Sequence, residues 1–165
     1  MHAEREDVDS ARIGVWGESQ GGALALAAAA LQGEQVRLCQ ADVPFLCDIE
    51  RALDVALEAP YTELVDFLAV HVDRVEEVLA VLAHVDCAFL ARRITARCLL
   101  SAGGMDPICP PSTVYAAYNA IAKGPTNSFV SHVMVDNVDG GDTAVKNGTS
   151  KGMRGPPRNS VTMSA

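Results

Sequence analysis

Three features are missing from this 165-residue sequence, and each absence narrows what the protein can be. No stretch approaches the roughly 18 consecutive apolar residues of a membrane-spanning helix. The opening residues, Met1 to Asp7, are charged where a secretory leader would carry an apolar core. The expectation is a cytoplasmic chain without a membrane partner. Basic clusters are also absent. The 13 Lys and Arg residues are outnumbered by 21 Asp and Glu, and a net charge of -8 repels phosphate backbones, so no nucleic acid is expected as a partner. The third absence is Cys-x-x-Cys spacing. Cys39, Cys47, Cys87, Cys98 and Cys109 are odd in number, mostly in apolar surroundings, and have no histidine at ligand spacing. They read as reduced, buried thiols, with no metal and no other cofactor implied.

What the chain does contain is enough apolar material, 49% of its residues, for one sizeable core. Arg12 to Trp16 has the β-branched and aromatic content of a buried strand, ended by Gly17. The Ala- and Leu-rich run from Gln20 to Leu31 is a strong helix former, and Gly33 is placed to stop it. Val36 to Val43 reads as a second buried strand, with Leu38, Ala41 and Val43 as its apolar contacts. Strand, helix, strand is the repeating unit of a parallel sheet.

From Asp48 to Ile94 the spacing is helical throughout, and Arg97 to Ser101 returns to a strand pattern. A tight loop follows at Gly103 to Asp106, and Pro110 and Pro111 open a helix over 112–122 whose inner face is Val114, Ala117, Tyr118 and Ile121. Ser128 to Val135 predicts one last strand. Beyond Asp136, Gly, Asn, Ser, Thr and Lys dominate, so the expectation is a folded unit over 1–123 and a segment over 124–165 holding that strand and a disordered polar tail.

Chemistry concentrates at Gly17-Glu18-Ser19-Gln20-Gly21, a Gly-x-Ser-x-Gly between a strand and a helix. In that setting the serine sits on a strained turn with its hydroxyl bare. Glycines two residues to either side are expected because side chains there would collide. The backbone N–H of Gln20, at the helix start, points where an oxyanion would form. The alternative is a turn whose serine merely caps the helix. Asp106, on the loop after a later strand, stands where the orienting acid of a serine triad belongs, although an Asp before Pro107 is also an ordinary turn residue.

Three blocks, Ile13 to Gly22, Asp42-Val43-Pro44-Phe45-Leu46-Cys47-Asp48, and Gly103 to Asn119, resemble in that order the acetyl xylan esterase and cephalosporin C deacetylase family. The likeness runs from residue 8 to about 119, and the helical stretch from Tyr61 to Arg93 looks like that family's excursion between elbow and acid. The resemblance implies an α/β-hydrolase-type parallel sheet with flanking helices, with Ser19 as nucleophile and Asp106 as triad acid. It implies deacetylation of small acetylated sugars, xylo-oligosaccharides or cephalosporin-like acetyl esters, without metal, in a homo-oligomer if the protein is complete.

Two departures accompany it. The family has a long part before the elbow that supplies the first strands and the second oxyanion amide, whereas here about eleven residues precede the strand, so a sheet truncated at its N-terminal side is expected. The family's histidine lies in a His-Glu-Gly-Gly type segment after the last strand; the comparable place here reads Asp136-Asn137-Val138-Asp139-Gly140-Gly141. The pattern is lost from about Lys123, as after a frame change, and truncation at the C-terminal side is expected too. His132 is the one histidine beyond Asp106, inside the expected strand, and is the candidate base. His71 and His84 fall on helix faces. A catalytically impaired member of the family, serving as an assembly or binding subunit, is therefore an alternative to an active esterase. A prolyl oligopeptidase-type peptidase, which shares Gly-x-Ser-x-Gly-Gly but not the block at 42–48, is a further one.

Overall fold

A computed structural model describes residues 9–122 and the backbone of 132–136. Four parallel strands form one sheet in the order β1 (Ile13–Glu18), β2 (Val36–Asp42), β3 (Arg97–Gly103) and β4 (His132–Asp136). Between β1 and β2 runs α1 (Gln20–Gln32), and Gly33 follows it with φ 55°, a left-handed value that favours glycine. The long connection from β2 to β3 is helical, as its spacing predicts, with α2 (Ile49–Val55), α3 (Tyr61–Val70), α4 (Val75–Leu82) and α5 (Cys87–Leu90). Helix α6 (Pro111–Ala122) leads from β3 toward β4. The polar tail expected beyond Asp136 lies outside the described residues.

Burial alternates along the strands, and this alternation sets the architecture. Val15 of β1 packs against the buried core formed by Cys39 and Ala41 of β2, Cys98, Leu100 and Ala102 of β3, and Ala23, Leu26, Ala29 and Ala30 of α1. On α6, Val114, Ala117, Tyr118 and Ile121 are all buried, the four residues its spacing singles out. Full burial of a side chain such as Leu26 or Leu100 is worth about 1.5–3 kcal/mol. The small residues of α1 let it lie close to the strands: a Cβ on Gly22 would come within 3.1 Å of the Asp42 carbonyl oxygen and of Pro44 Cα.

Two strand expectations need correction. Leu38, expected among the buried contacts of β2, is 52% exposed, because the alternation turns it to the face opposite the helices, where Trp16 is 64% exposed; Cys39 fills the core instead. Strand β1 also does not stop at Gly17, since Gly17 and Glu18 remain in register with Ala41 and Asp42. All five cysteines are buried and free of disulfides, as their apolar neighbourhoods predict. Among the described residues, no cluster of ligating side chains could hold a metal ion, and no helix is long and apolar enough to cross a membrane.

The β2–α2 connection carries its own strain. Val43, Leu46 and Asp48 all have positive φ, between 38° and 55°. The Asp48 carboxyl is held above the usual aspartate range, first by burial and then by the charge of Asp86. Folding therefore favours the protonated group; the stability it supplies is present in acid and is lost as pH rises through the folded-state value. Asp48→Asn removes the charge while keeping a residue that tolerates left-handed backbone. It is expected to stabilise the protein at neutral pH by about 0.5 kcal/mol, given the partial exposure of the site. The gain should vanish below the ordinary aspartate range in thermal melts followed across pH.

Candidate active site

The sharp turn between β1 and α1 places Ser19 at φ 54°, ψ −118°, where an L-residue is strained. Three backbone hydrogen bonds hold it there. Ser19 N–H donates to the Asp42 carbonyl at 2.9 Å, and the Ser19 carbonyl accepts from Ala23 at 3.1 Å and Phe45 at 3.0 Å. Its side chain makes no cap hydrogen bond to α1, so the helix-cap alternative does not describe this serine. Ser19 and Gln20 are both exposed. The Gln20 amide belongs to the first turn of α1, whose N–H groups have no intrahelical acceptor.

The expected symmetry of the two glycines does not hold. A Cβ on Gly17 would lie 2.1 Å from the Gly21 carbonyl oxygen, a hard collision, whereas a Cβ on Gly21 meets nothing within 4 Å. The turn needs glycine before the serine, where β1 runs under the start of α1; after it, the chain has already entered the open side of the helix.

Asp106 lies on the loop beyond β3, and its Oδ1 accepts from the amides of Ile108 at 2.9 Å and Cys109 at 2.8 Å. Those bonds fix the carboxylate and leave Oδ2 without a hydrogen-bond partner among the described residues. Cys109 joins Asp106 to Ser19. It is buried, and its thiol lies beside the Ser19 hydroxyl. Burial pushes the thiol up to about 12, the Asp106 charge pushes in the same direction, and the Ser19 hydroxyl partly offsets both. The two sequence-predicted residues therefore share one neighbour at the C-terminal edge of the sheet.

Neither His71 nor His84 is brought to them. The His71 ring lies against Phe67, with centroids 4.4 Å apart, and His84 Nδ1 is 2.9 Å from the Ala80 carbonyl oxygen. His132 opens β4 opposite Leu99, while Asp136 at the strand's other end is opposite Gly103. Four residues of strand put its backbone about 13 Å along the sheet from the edge that carries Asp106. The backbone of His132 thus opens a strand and does not lie on the loop after it.

Two buried carboxylates escaped the sequence reading. Asp42, 3% exposed, accepts from Trp16 Nε1, Gln40 Nε2 and Ser101 Oγ beneath the Ser19 turn. Asp86, equally buried, accepts backbone amides from Asp48, Ile49 and Ala88. Their partners lie up to 59 residues away in sequence, and no local pattern announces them. The available signal was an acidic residue inside an otherwise apolar segment, which must be satisfied when buried.

Residues 1–137 match the acetyl xylan esterase (AXE1) family. Acetyl esterase Axe7A of Xylanibacter ruminicola is 33% identical over 132 residues, 77% of this chain and 28% of its own length. The acetyl xylan esterase of Paenibacillus sp. R4 superposes with a TM-score of 0.71 at 38% identity, over 80% of this chain and 40% of that one. Acetyl xylan esterase 1 of Thermoanaerobacterium sp. JW/SL YS485 gives 0.69 at 40% identity, over 81% and 41%. The chain thus spans well under half the length of each of these relatives.

Proposed function

Because the chain belongs to the acetyl xylan esterase family, we propose that it carries the nucleophile and acid of a serine carboxylesterase acting on acetylated sugars and xylo-oligosaccharides. In this reading the Ser19 hydroxyl adds to the ester carbonyl and gives up its proton to a base. The carbon–oxygen bond to the sugar then breaks, the sugar oxygen takes a proton, and acetyl-serine remains until water releases acetate. The Gln20 N–H stabilises the oxyanion, and Oδ2 of Asp106 orients the base. Cephalosporin-like acetyl esters present the same bond and fall in the same class. The exposed Val70, Val72 and Val81 of the helical excursion support self-association.

One observation carries the reading: the Ser19 hydroxyl is uncapped at a strained strand-to-helix turn and touches the residue whose amide Asp106 holds. A second observation bears on its rate. No imidazole among the described residues meets Ser19 or Asp106, which favours an impaired catalyst. Loss of one triad member leaves about 10³–10⁴-fold acceleration over water from the oxyanion site and binding.

The test is hydrolysis of p-nitrophenyl acetate together with capture of a fluorophosphonate, a reagent specific for activated serine. Ser19→Ala is expected to lose both. Hydrolysis at full rate by Ser19→Ala overturns the proposal, and turnover equal to that of a complete family esterase overturns the impaired reading.

A further inference from the structure

Strain at Ser19 persists only if the surroundings hold it, because backbone in that region relaxes when freed. Two of its three backbone bonds come from the last residue of β2, Asp42, and from Phe45 in the segment just after it. That segment is itself strained, with Val43 at φ 38°, unfavourable for a β-branched residue. Something must fix the end of β2.

The Asp42 side chain lies at that point. On one side, Oδ2 accepts from the Trp16 indole N–H of β1 at 2.9 Å and from Gln40 at 3.1 Å. On the other, Oδ1 accepts from the Ser101 hydroxyl of β3 at 2.9 Å. Val43 N–H then donates to both the carbonyl and the hydroxyl oxygen of Ser101, each at 3.1 Å. One carboxylate thus ties three strands together at the edge bearing the elbow, and the same residue's carbonyl receives Ser19 N–H.

From this juxtaposition we infer that Asp42 is a positioning residue for the nucleophile, acting through its own carbonyl and through Val43 to keep Ser19 in its strained conformation. The inference deepens the esterase reading and rests on it for its catalytic meaning. Carboxylate hydrogen bonds are stronger than neutral ones, and three of them converging on a buried group make a stiff anchor. Without it, the Trp16 and Ser101 donors lose their acceptor, the end of β2 loosens, and the Ser19 turn relaxes.

The experiment uses the full chain and two readouts. Amide hydrogen exchange at Ser19, followed by NMR, reports the turn whether or not the protein is catalytic; the rate of fluorophosphonate capture reports the hydroxyl. Asp42→Ala is expected to lower Ser19 amide protection and capture rate by roughly tenfold or more. It should also shift the indole N–H resonance of Trp16, the single tryptophan of the chain. Asp42→Asn, which keeps one acceptor oxygen, and Ser101→Ala, which removes one donor from the far side, should fall between; both serve if Asp42→Ala fails to fold. Ile121→Ala, a cavity at the far end of α6, supplies a comparably destabilised control with the elbow untouched. Ser19 protection unchanged in the Asp42 and Ser101 variants, or lost only as far as in Ile121→Ala, overturns the inference. Wild-type protein that captures no more reagent than Ser19→Ala overturns the esterase reading, while loss of Ser19 protection in Asp42→Ala still upholds the hold of Asp42 on the turn.

Discussion

Gly17→Ala is expected to abolish fluorophosphonate capture at Ser19 and to destabilise the protein by about 3 kcal/mol or more. The added carbon would lie 2.1 Å from the Gly21 carbonyl oxygen, 2.2 Å from its carbonyl carbon and 2.9 Å from its Cα. All three are backbone atoms of the first turn of α1, so no side chain can swing aside to make room. Relief requires α1 to move away from β1, and that movement dismantles the geometry that leaves the Ser19 hydroxyl bare. Gly21→Ala is the matched comparison. Open space surrounds that site, and alanine in a helix is favoured over glycine by about 0.8–1 kcal/mol. Melting curves and capture rates for the two variants should diverge in opposite directions from wild type; a Gly17→Ala protein with a normal melting point and normal capture would refute this account of the turn.

The largest effect away from the elbow is expected at Asp86. Its Oδ1 accepts from Asp48 N–H at 2.9 Å and Ala88 N–H at 2.7 Å, and Oδ2 accepts from Ile49 N–H at 2.7 Å. One buried side chain therefore serves the starts of both α2 and α5, two helices far apart in sequence. Asp86→Ala leaves three amides without their acceptor and is expected to cost about 4 kcal/mol in urea unfolding. Asp86→Asn keeps one good acceptor and should lose about half as much. A loss below about 1 kcal/mol for the alanine variant would mean that water replaces the carboxylate without penalty and would defeat the argument.

Much of the architecture was legible because it depends on near neighbours in sequence. The Ala-rich run after Ser19 forms a helix by propensity, Gly33 ends it through its left-handed backbone, and the inner face of α6 follows from spacing alone. Leu38 shows the limit. Its apolar character suggests burial, but which strand face meets the helices is decided by tertiary packing, and Cys39 won that place. The extension of β1 through Glu18 has the same origin, since pairing with Asp42 continues past the glycine.

At the site, the turns that carry Ser19 and Asp106 were readable because each has a sequence signature, and the structure places both residues beside Cys109. The direction of the glycine constraint was not readable. It depends on how closely β1 passes under α1, a distance that no letter encodes. Asp42 was equally opaque: its contribution comes from Trp16 and Ser101, which reach it from strands on either side.

The state of Cys109 carries a chemical consequence for selectivity. Sulfur is intrinsically the better nucleophile, but only as the thiolate. With its proton retained up to about 12, the sulfhydryl beside Ser19 stays uncharged across the physiological range. In the proposed reaction, an electrophile arriving at this edge of the sheet would therefore meet oxygen and not thiolate sulfur as its reactive partner. On that reading, burial alone sets the two adjacent heteroatoms apart, with neither removed from the chain.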